Sequence, residues 1–431
     1  KREDTLRIIK NVRSVSDKIP FLLDTKGPEI RTTEAEQPIH LKKGDIIKIR
    51  SCPDQFTTEK CIQVNYPGFV DEIPQNSKIL IDDGYLELQV GKKEKESLTC
   101  VVKNEGILKS RKSVNVPGVC FSLPGLSEKD RDYIQFAIEQ DIDFIAHSFV
   151  RHKNDVIDIQ KILDQYDSKI KIIAKIENRE GVNNIDEILE HVYGIMVARG
   201  DLAIEIPYEK IPGIQKMIIN KCIANRKPVI IATQMLHSMI TEPRPTRAEV
   251  SDIANAIYSK TDAIMLSGET AHGQYPEEAV STMAKVAREV EKTRSDLHEA
   301  PVKVLSSEIS AYLTKSAVEA SIKLNAKVIV ADTVSGRTIR NMAAYRGRKP
   351  ILAMCYDKRI ARELALSFGV YPDYVEPTKN SWKSVIKGLK RYLDKKKLKE
   401  QDLVVVVAGN FGISHGASFV EISTLENLMG S

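Results

Sequence analysis

The sequence is poor in the features that mark several functional classes. Its six cysteines, Cys52, Cys61, Cys100, Cys120, Cys222 and Cys355, include no CxxC pair. Each sits beside apolar or strand-like residues, so buried free thiols in a reducing compartment are expected, not a disulfide or zinc framework. No apolar run reaches the ~18 residues of a membrane span, and no membrane partner is expected. No secretory signal is visible, which points to a cytoplasmic protein. The chain opens at Lys1 without a methionine, so an N-terminal segment is expected to lie outside this sequence. The net charge of +5 is spread along the chain, with no arginine-rich arm and no basic stripe interleaved with aromatics. Phosphate-backbone binding would need a concentrated basic patch, so no nucleic-acid partner is expected. The mild positive excess suits an anionic small substrate. The eight histidines form no HxxxH or HExxH pair, which leaves zinc chemistry and Ser-His nucleophilic catalysis unsupported. The single tryptophan, Trp382, reads as packing, and there are no repeats or low-complexity tracts.

What is present is an alternating pattern. A chain of 431 residues is too long for one compact core, so two or three domains are expected. Short apolar runs recur, most ending abruptly in polar residues before a helical stretch. Phe21-Leu22-Leu23 ends in Asp24-Thr25, and Phe144-Ile145-Ala146 ends in His147-Ser148. Ile170 to Ala174 ends in Lys175-Ile176-Glu177, and Gly194 to Ala198 ends in Arg199-Gly200-Asp201. Val229-Ile230-Ile231 ends in Ala232-Thr233-Gln234, and Ala263 to Leu266 ends in Ser267-Gly268-Glu269. Helical spacing is clear over 155–166, 210–225 and 277–291. Buried parallel strands with crossover helices have this signature. Six such units in order predict an α/β fold of the (β/α) barrel type, whose chemistry sits at the C-terminal strand ends. An open doubly wound sheet is the rival, but it would not usually load every strand end with charge.

Residues 28–119 interrupt this pattern with a period of two, as in Ile46-Ile47-Lys48-Ile49 and Tyr85 to Val90, and Asp83-Gly84 reads as a hairpin turn. A small all-β domain inserted after the first strand, placed as a lid over the active face, is expected there. Residues 1–27 and 120–297 are then the barrel. Residues 298–431, with strand candidates at Lys327 to Val330, Ile351 to Met354 and Leu403 to Val407, form a smaller C-terminal α/β domain. Lys395, Lys396 and Lys397 read as a solvated helix end.

Lys175 and Glu177 are two apart in a strand and so share a face. A cation at the barrel mouth neutralises charge developing on a substrate oxygen, and a carboxylate beside it can hold a divalent metal. A surface ion pair is the plain alternative. Asp201 adds a second carboxylate on the next strand, suiting Mg²⁺ or Mn²⁺, which take few protein ligands; it also reads as a helix N-cap. Gly200 lets backbone amides approach an anion. Thr233 is either a hydroxyl for a substrate carboxylate and proton relay or a helix cap. Asp24 and Thr25 are candidate cation ligands and Arg31 a candidate phosphate clamp, against ordinary turn chemistry around Lys26-Gly27-Pro28.

Taken together, Leu23 to Arg31 (LDTKGPEIR), Ala174 to Asn178 (AKIEN), Ile195 to Leu202 (IMVARGDL), Ala232 to Leu236 (ATQML), Pro243 to Glu249 (PRPTRAE) and Met265 to Thr270 (MLSGET) resemble segments of the pyruvate kinase family, in family order across nearly the whole chain. The resemblance implies an eight-stranded (β/α)8 barrel, a β lid and a C-terminal α/β domain. It implies transfer of the phosphoryl group of phosphoenolpyruvate to ADP, giving pyruvate and ATP, the last step of glycolysis, with Mg²⁺ (or Mn²⁺) and K⁺ as cofactors. It implies that Lys175 stabilises the transferring phosphoryl group and the enolate oxygen, that Glu177 and Asp201 hold the divalent metal, and that Thr233 with the Gly200 and Asp201 amides seats the carboxylate. Asp24 and Thr25 match the K⁺ ligands, Glu29 a residue of potassium-dependent members, and Lys112 a lid lysine reaching the nucleotide phosphates. Thr233 with a water is the route assigned to enolate protonation. A homotetramer is expected by analogy.

The sequence departs from the family in two places. It begins inside what resembles the second barrel helix, so the first two strands, with a segment that supplies an arginine and K⁺ ligands, have no counterpart; an incomplete N-terminus is expected. Thr333-Val334-Ser335-Gly336-Arg337-Thr338 resembles the effector loop of sugar-phosphate-activated members, or is an ordinary helix cap. Leu389 stands where those members carry an arginine, and His415 lies in a loop 409–416 without their proline-rich signature. A phosphorylated effector at Thr333, Ser335, Gly336, Arg337 and Thr338 is the expectation retained. The alternatives to the kinase are a metal-dependent barrel lyase or aldolase working through a pyruvate enolate, and a catalytically silent family member.

Overall fold

The computed structural model describes residues 2–293, 302–303, 308–377, 381–394, 397–409 and 417–430. The readings placed on the Trp382 side chain, on Lys395 and Lys396, and on the loop 410–416 with His415 lie outside the described residues.

Six parallel strands pair in sequence order: Leu22–Asp24, Phe144–His147, Lys171–Ile176, Gly194–Ala198, Val229–Ala232 and Ala263–Ile264. Side chains alternate across them and separate into two apolar cores. Ile145, Ile172, Ala174, Ile195, Val197 and Ile231 face the surrounding helices. Phe144, Ala146, Ile173, Met196, Ile230 and Ala232 pack together on the other face, the interior of the curled sheet. The helices offer matching stripes: Val156, Ile159 and Leu163 of Lys153–Gln165 are all buried at helical spacing. Capping boxes start two helices, Ser127 with Asp130 and Thr246 with Glu249. The last strand is shorter than the expected run to Leu266, because Ser267 N–H turns to the Glu269 carboxylate at 2.7 Å and opens the short helix Gly268–Ala271.

Between the first and second of these strands lies an all-β unit with a core of its own, including Ile47, Ile49, Leu86, Leu88 and Val90. Its sheet runs in the order Cys61–Gln63, Ile46–Arg50, Leu98–Val102, Leu86–Lys93, Lys78–Ile81, Val114–Asn115. Asp82, Asp83 and Gly84 all take positive φ in the hairpin turn, a conformation that Asp and Gly tolerate best.

The third unit is a five-stranded sheet in the order Val370–Tyr374, Ile351–Cys355, Val328–Thr333, Leu403–Ala408, Phe419–Thr424, with only the last strand antiparallel. It docks on the barrel through residues that stand just before barrel strands. Asp141 and Asp143 precede the second strand, and Arg362 meets them at 3.0 and 2.6 Å, with Arg359 at 2.8 Å from Asp141. Asp262 precedes the sixth strand and takes both guanidinium nitrogens of Arg346 at 2.7 and 2.5 Å. All of these contacts lie at the N-terminal ends of the strands, which leaves the C-terminal ends to the lid.

The six cysteines are free. Cys100, Cys222 and Cys355 are buried, but Cys120 is exposed and Cys52 and Cys61 are half-buried, so the expectation of uniformly buried thiols is corrected. These positions fall at the lid's edges, where strand-like neighbours do not guarantee a covered face.

Asp143 is fully buried and takes its nearest positive charge from Arg362 at 2.6 Å, with Arg13 farther off at 3.6 Å. Removing the nearer partner leaves the buried carboxylate with Arg13 alone, so Arg362→Met is expected to lower stability in urea titration by up to about 3–5 kcal/mol; a loss within error of zero would show that the docking pair is not structural.

Candidate active site

The alternation that separates the two cores also decides which polar residues meet. Continuing the interior-facing set past each strand end brings out Asp24 after Leu22, Ser148 after Ala146, and Lys175 and Glu177 after Ile173. These four are in contact. Lys175 Nζ lies 3.1 Å from an Asp24 carboxylate oxygen, 3.1 Å from Glu177 Oε1 and 2.9 Å from Ser148 Oγ. Its side chain is only 13% exposed and that of Glu177 1%. The second Glu177 oxygen accepts the Phe149 N–H at 2.7 Å. In the sequence Ser148 reads only as part of a polar strand end, and its signal is the same parity that picks out Lys175; Phe149, on the other parity, carries no such signal.

Thr25 falls on the opposite parity. Its hydroxyl faces His147 Nδ1 at 3.2 Å and accepts the Ser148 N–H at 3.0 Å, while its carbonyl accepts from Ser148 Oγ at 2.7 Å. The structure thus brings Asp24 to Lys175 and turns the Thr25 side chain away from it.

Asp201 sits in the first turn of Arg199–Glu205, close enough for its charge to act on Glu177 and to feel Lys175. Thr233 Oγ1 accepts the Gly200 N–H at 2.8 Å and donates to the Ala232 carbonyl at 2.7 Å. Arg199 donates to the Thr233 carbonyl at 2.8 Å and pairs with Asp252 at 2.6 Å. Both Thr233 and Gln234 hold positive φ, 67° and 55°.

From the lid side, Arg31 pairs with Glu29 at 2.7 Å and donates to the Arg111 carbonyl at 2.6 Å. Lys112 pairs with Asp82 at 2.9 Å. The neighbouring Asp83 and Glu29 both press electrostatically on Asp201, so the lid hairpin and the barrel mouth face each other. A cavity of about 200 Å³ opens beside Glu177, walled by Val114 and Val116 of the lid, by Phe121, which packs on the lid core, and by Phe149 and Arg151 of the barrel. The loop Thr333–Thr338 lies apart, in the C-terminal unit. There Thr333 Oγ1 accepts the Gly336 N–H at 2.8 Å, and Gly336 takes φ +77° ahead of the helix Arg337–Ala344.

Burial pushes the Glu177 carboxyl above the usual carboxylate range; Lys175 opposes this and Asp201 adds to it. Burial also raises Asp201, against Lys175 and with Asp83 and Glu29. For Lys175 burial favours the neutral amine, but Glu177 and Asp24 outweigh it and hold the ammonium more firmly than in water. The arrangement is one fixed cation beside carboxylates that lack enough positive charge. Such a site suits a hard divalent ion that brings water and substrate oxygens with it. Among the described residues no group of three or more His, Cys, Asp and Glu forms an all-protein cage.

Beneath the cluster, burial holds His147 neutral, with its pKa down to about 4 from 6.5. The unfolded chain takes up that proton first, so the stability this imidazole contributes is full above about pH 6.5 and is lost as pH falls toward 4. About 2 kcal/mol is gone by about pH 5. His147→Asn is expected to flatten the pH dependence of urea stability between about 7.5 and 5 by that amount; an unchanged slope would mean that the folded state already carries the proton.

Comparison with known proteins gives the family. The family model described as "Pyruvate kinase, barrel domain" matches residues 1–280, and "Pyruvate kinase, alpha/beta domain" matches 312–423. A pyruvate kinase of Borreliella burgdorferi is 47% identical over 430 residues, covering 99% of this chain and 90% of that protein. One from Geobacillus stearothermophilus is 44% identical, covering 99% of this chain and 74% of that protein. The crystal structure of a pyruvate kinase from Cryptosporidium parvum superposes with a TM-score of 0.91 at 36% identity, covering 99% of this chain and 89% of that one. With both domain models matched and these relatives aligned over nearly its whole length, the chain belongs to the pyruvate kinase family of phosphotransferases.

Proposed function

We propose that this chain transfers the phosphoryl group of phosphoenolpyruvate to ADP, forming pyruvate and ATP. The observation that carries the reading is the Lys175 ammonium, buried at 3.1 Å from carboxylates of two different strand ends and facing the lid. Phosphoryl transfer asks for positioning and charge neutralisation more than for covalent help. Family membership favours this over a barrel lyase.

In this reading the phosphorus–oxygen bond of phosphoenolpyruvate breaks as a bond forms to a terminal oxygen of ADP, leaving the enolate of pyruvate. Lys175 faces the oxygens on which charge changes and stabilises them where water is excluded. Glu177 and Asp201 would hold Mg²⁺ or Mn²⁺, which when bound supplies further positive charge to the phosphate and enolate oxygens. Their mutual repulsion in a buried setting is the reason they fit such an ion. Asp24 and Thr25 would contribute to a K⁺ site, Thr25 through its backbone, since its hydroxyl is engaged elsewhere. Thr233, with the Asp201 amide and with the Gly200 N–H shared between Thr233 Oγ1 and the substrate, seats the substrate carboxylate, and Thr233 with a water delivers the proton to the enolate carbon. For Arg31 and Lys112 to reach phosphate oxygens, each exchanges its carboxylate partner, Glu29 or Asp82, for the substrate. The same reading carries a phosphorylated effector at Thr333, Ser335, Gly336, Arg337 and Thr338, a homotetramer and a cytoplasmic location; no helix among the described residues is long and apolar enough to cross a membrane.

Lys175→Met is expected to lower kcat by several orders of magnitude, at least about a thousandfold, with the circular dichroism unchanged. Turnover near the parent level, followed as ADP-dependent pyruvate formation, would remove Lys175 from the reaction. Glu177→Gln is expected to raise the Mg²⁺ concentration needed for half-maximal rate by about tenfold or more; an unchanged Mg²⁺ dependence would place the ion elsewhere.

A further inference from the structure

The junction between the barrel floor and the C-terminal unit holds more positive charge than it can pair. A narrow cleft there is bounded by Arg226 and Lys227, which precede the fifth barrel strand, by Asp262, and by Arg340, Arg346 and Ser367 of the C-terminal unit. Asp262 is the one carboxylate lining the cleft, and its acceptor positions are filled. It takes two bonds from Arg346, one from the Val229 N–H at 3.0 Å and one from the Phe368 N–H at 2.9 Å.

The other three cations have no ion pair with a carboxylate among the described residues. Arg226 donates to the Lys303 carbonyl and to Asn341 Oδ1. Lys227 donates to the Val192 carbonyl at 2.6 Å. Arg340 donates to the Ser335 carbonyl at 3.2 Å and lies over the Tyr193 ring, with Glu363 within electrostatic reach. Burial lowers the pKa of Lys227, and the Arg340 charge lowers it further, as expected where like charges crowd together.

Buried donors without partners mark the same place. Ser367 is 7% exposed, lines the cleft and leaves its hydroxyl unbonded; Arg346, 2% exposed, leaves its Nε–H unbonded. Asn341, 3% exposed, does not line the cleft itself but turns its oxygen to Arg226, which does, and leaves its amide nitrogen without an acceptor. A buried polar group left unpaired loses its hydration with nothing in return. The Arg346 and Asn341 groups only donate and the Ser367 hydroxyl can donate, so an acceptor would satisfy all three.

We propose that this cleft binds a phosphate group, held by Lys227, Arg226 and Arg340 and by the Ser367 hydroxyl, and that the anion fastens the C-terminal unit to the barrel floor. The centre of the closed cleft has room for about one water-sized group within some 210 Å³ of space outside the atoms. Entry of a tetrahedral anion therefore requires the half-buried Arg226 and Arg340 side chains to turn at its rim. The cleft adjoins the Thr333–Thr338 loop through Arg340, which bonds the Ser335 carbonyl, but none of that loop's residues lines it, and Lys175 lies at the opposite ends of the barrel strands.

Titration calorimetry with inorganic phosphate, run against chloride at matched ionic strength, tests this on the full chain. Phosphate is expected to bind the parent protein and Lys175→Met alike. Lys227→Met with Arg340→Met is expected to weaken it by about tenfold or more, and Ser367→Ala, a change too small to disturb folding, by a few fold. Tighter binding of glycerol 3-phosphate than of phosphate would identify the ligand as a phosphomonoester; the reverse order would identify it as free phosphate. Equal phosphate affinity in the parent protein and the cleft variants, or no binding beyond that of chloride, would overturn the proposal.

Discussion

A single ammonium group, held between the buried Glu177 and the exposed Asp24, sets the terms at the upper end of the barrel. At 3.1 Å and an effective dielectric constant of about 20, the attraction between Lys175 and Glu177 is on the order of 5 kcal/mol before the desolvation of both is subtracted. Burial works against both charges, and the net balance leaves the lysine firmly protonated and the glutamate short of positive charge. The protein has therefore met part of the electrostatic demand of the site and left the remainder open. A site built this way is ready for a cation and an anion arriving together, and it is poorly suited to either alone.

The two ends of the barrel divide the work. Strand C-termini present Asp24, Ser148, Lys175 and Glu177 to the lid, while strand N-termini present Asp143 and Asp262 to arginines of the C-terminal unit. Between them lies the interior core of Phe144, Ile173, Met196 and Ile230. Close-packed apolar layers transmit displacement with little compression. A shift in how Arg346 or Arg362 grips the barrel floor is thus felt as a shift of whole strands, the same strands that carry Lys175 and Glu177.

The sequence made the upper end readable because one rule, charge at the ends of apolar runs, depends only on local order along the chain. Lys175, Glu177 and Asp201 were found that way, and parity applied one residue further would have added Ser148. The same parity would have shown that the Thr25 hydroxyl belongs to the far side with His147. Other features could not be read. Asp143 and Arg362 are 219 positions apart, and Asp262 and Arg346 are 84 apart, so no local pattern announces either pair. Cys120 looked buried because its neighbours are strand-like, yet exposure depends on what covers a strand, and that is a tertiary fact. The last barrel strand ended early because a side chain, Glu269, captured the backbone N–H of Ser267.

Thr233 shows how the barrel mouth is held in register. A β-branched residue at φ 67° is strained by about 1–3 kcal/mol, and such strain persists only where surrounding contacts over-determine it. Here the hydroxyl accepts the Gly200 N–H, and the carbonyl accepts from Arg199, itself held by Asp252. These bonds tie the turn after the fifth strand to the first residues of the helix that carries Asp201. In a relaxed conformation Thr233 would release Gly200, and Asp201 would be free to move relative to Glu177. These contacts help hold Asp201, in the helix after the fourth strand, in place relative to Glu177 at the neighbouring strand end, as an ion shared between them would require.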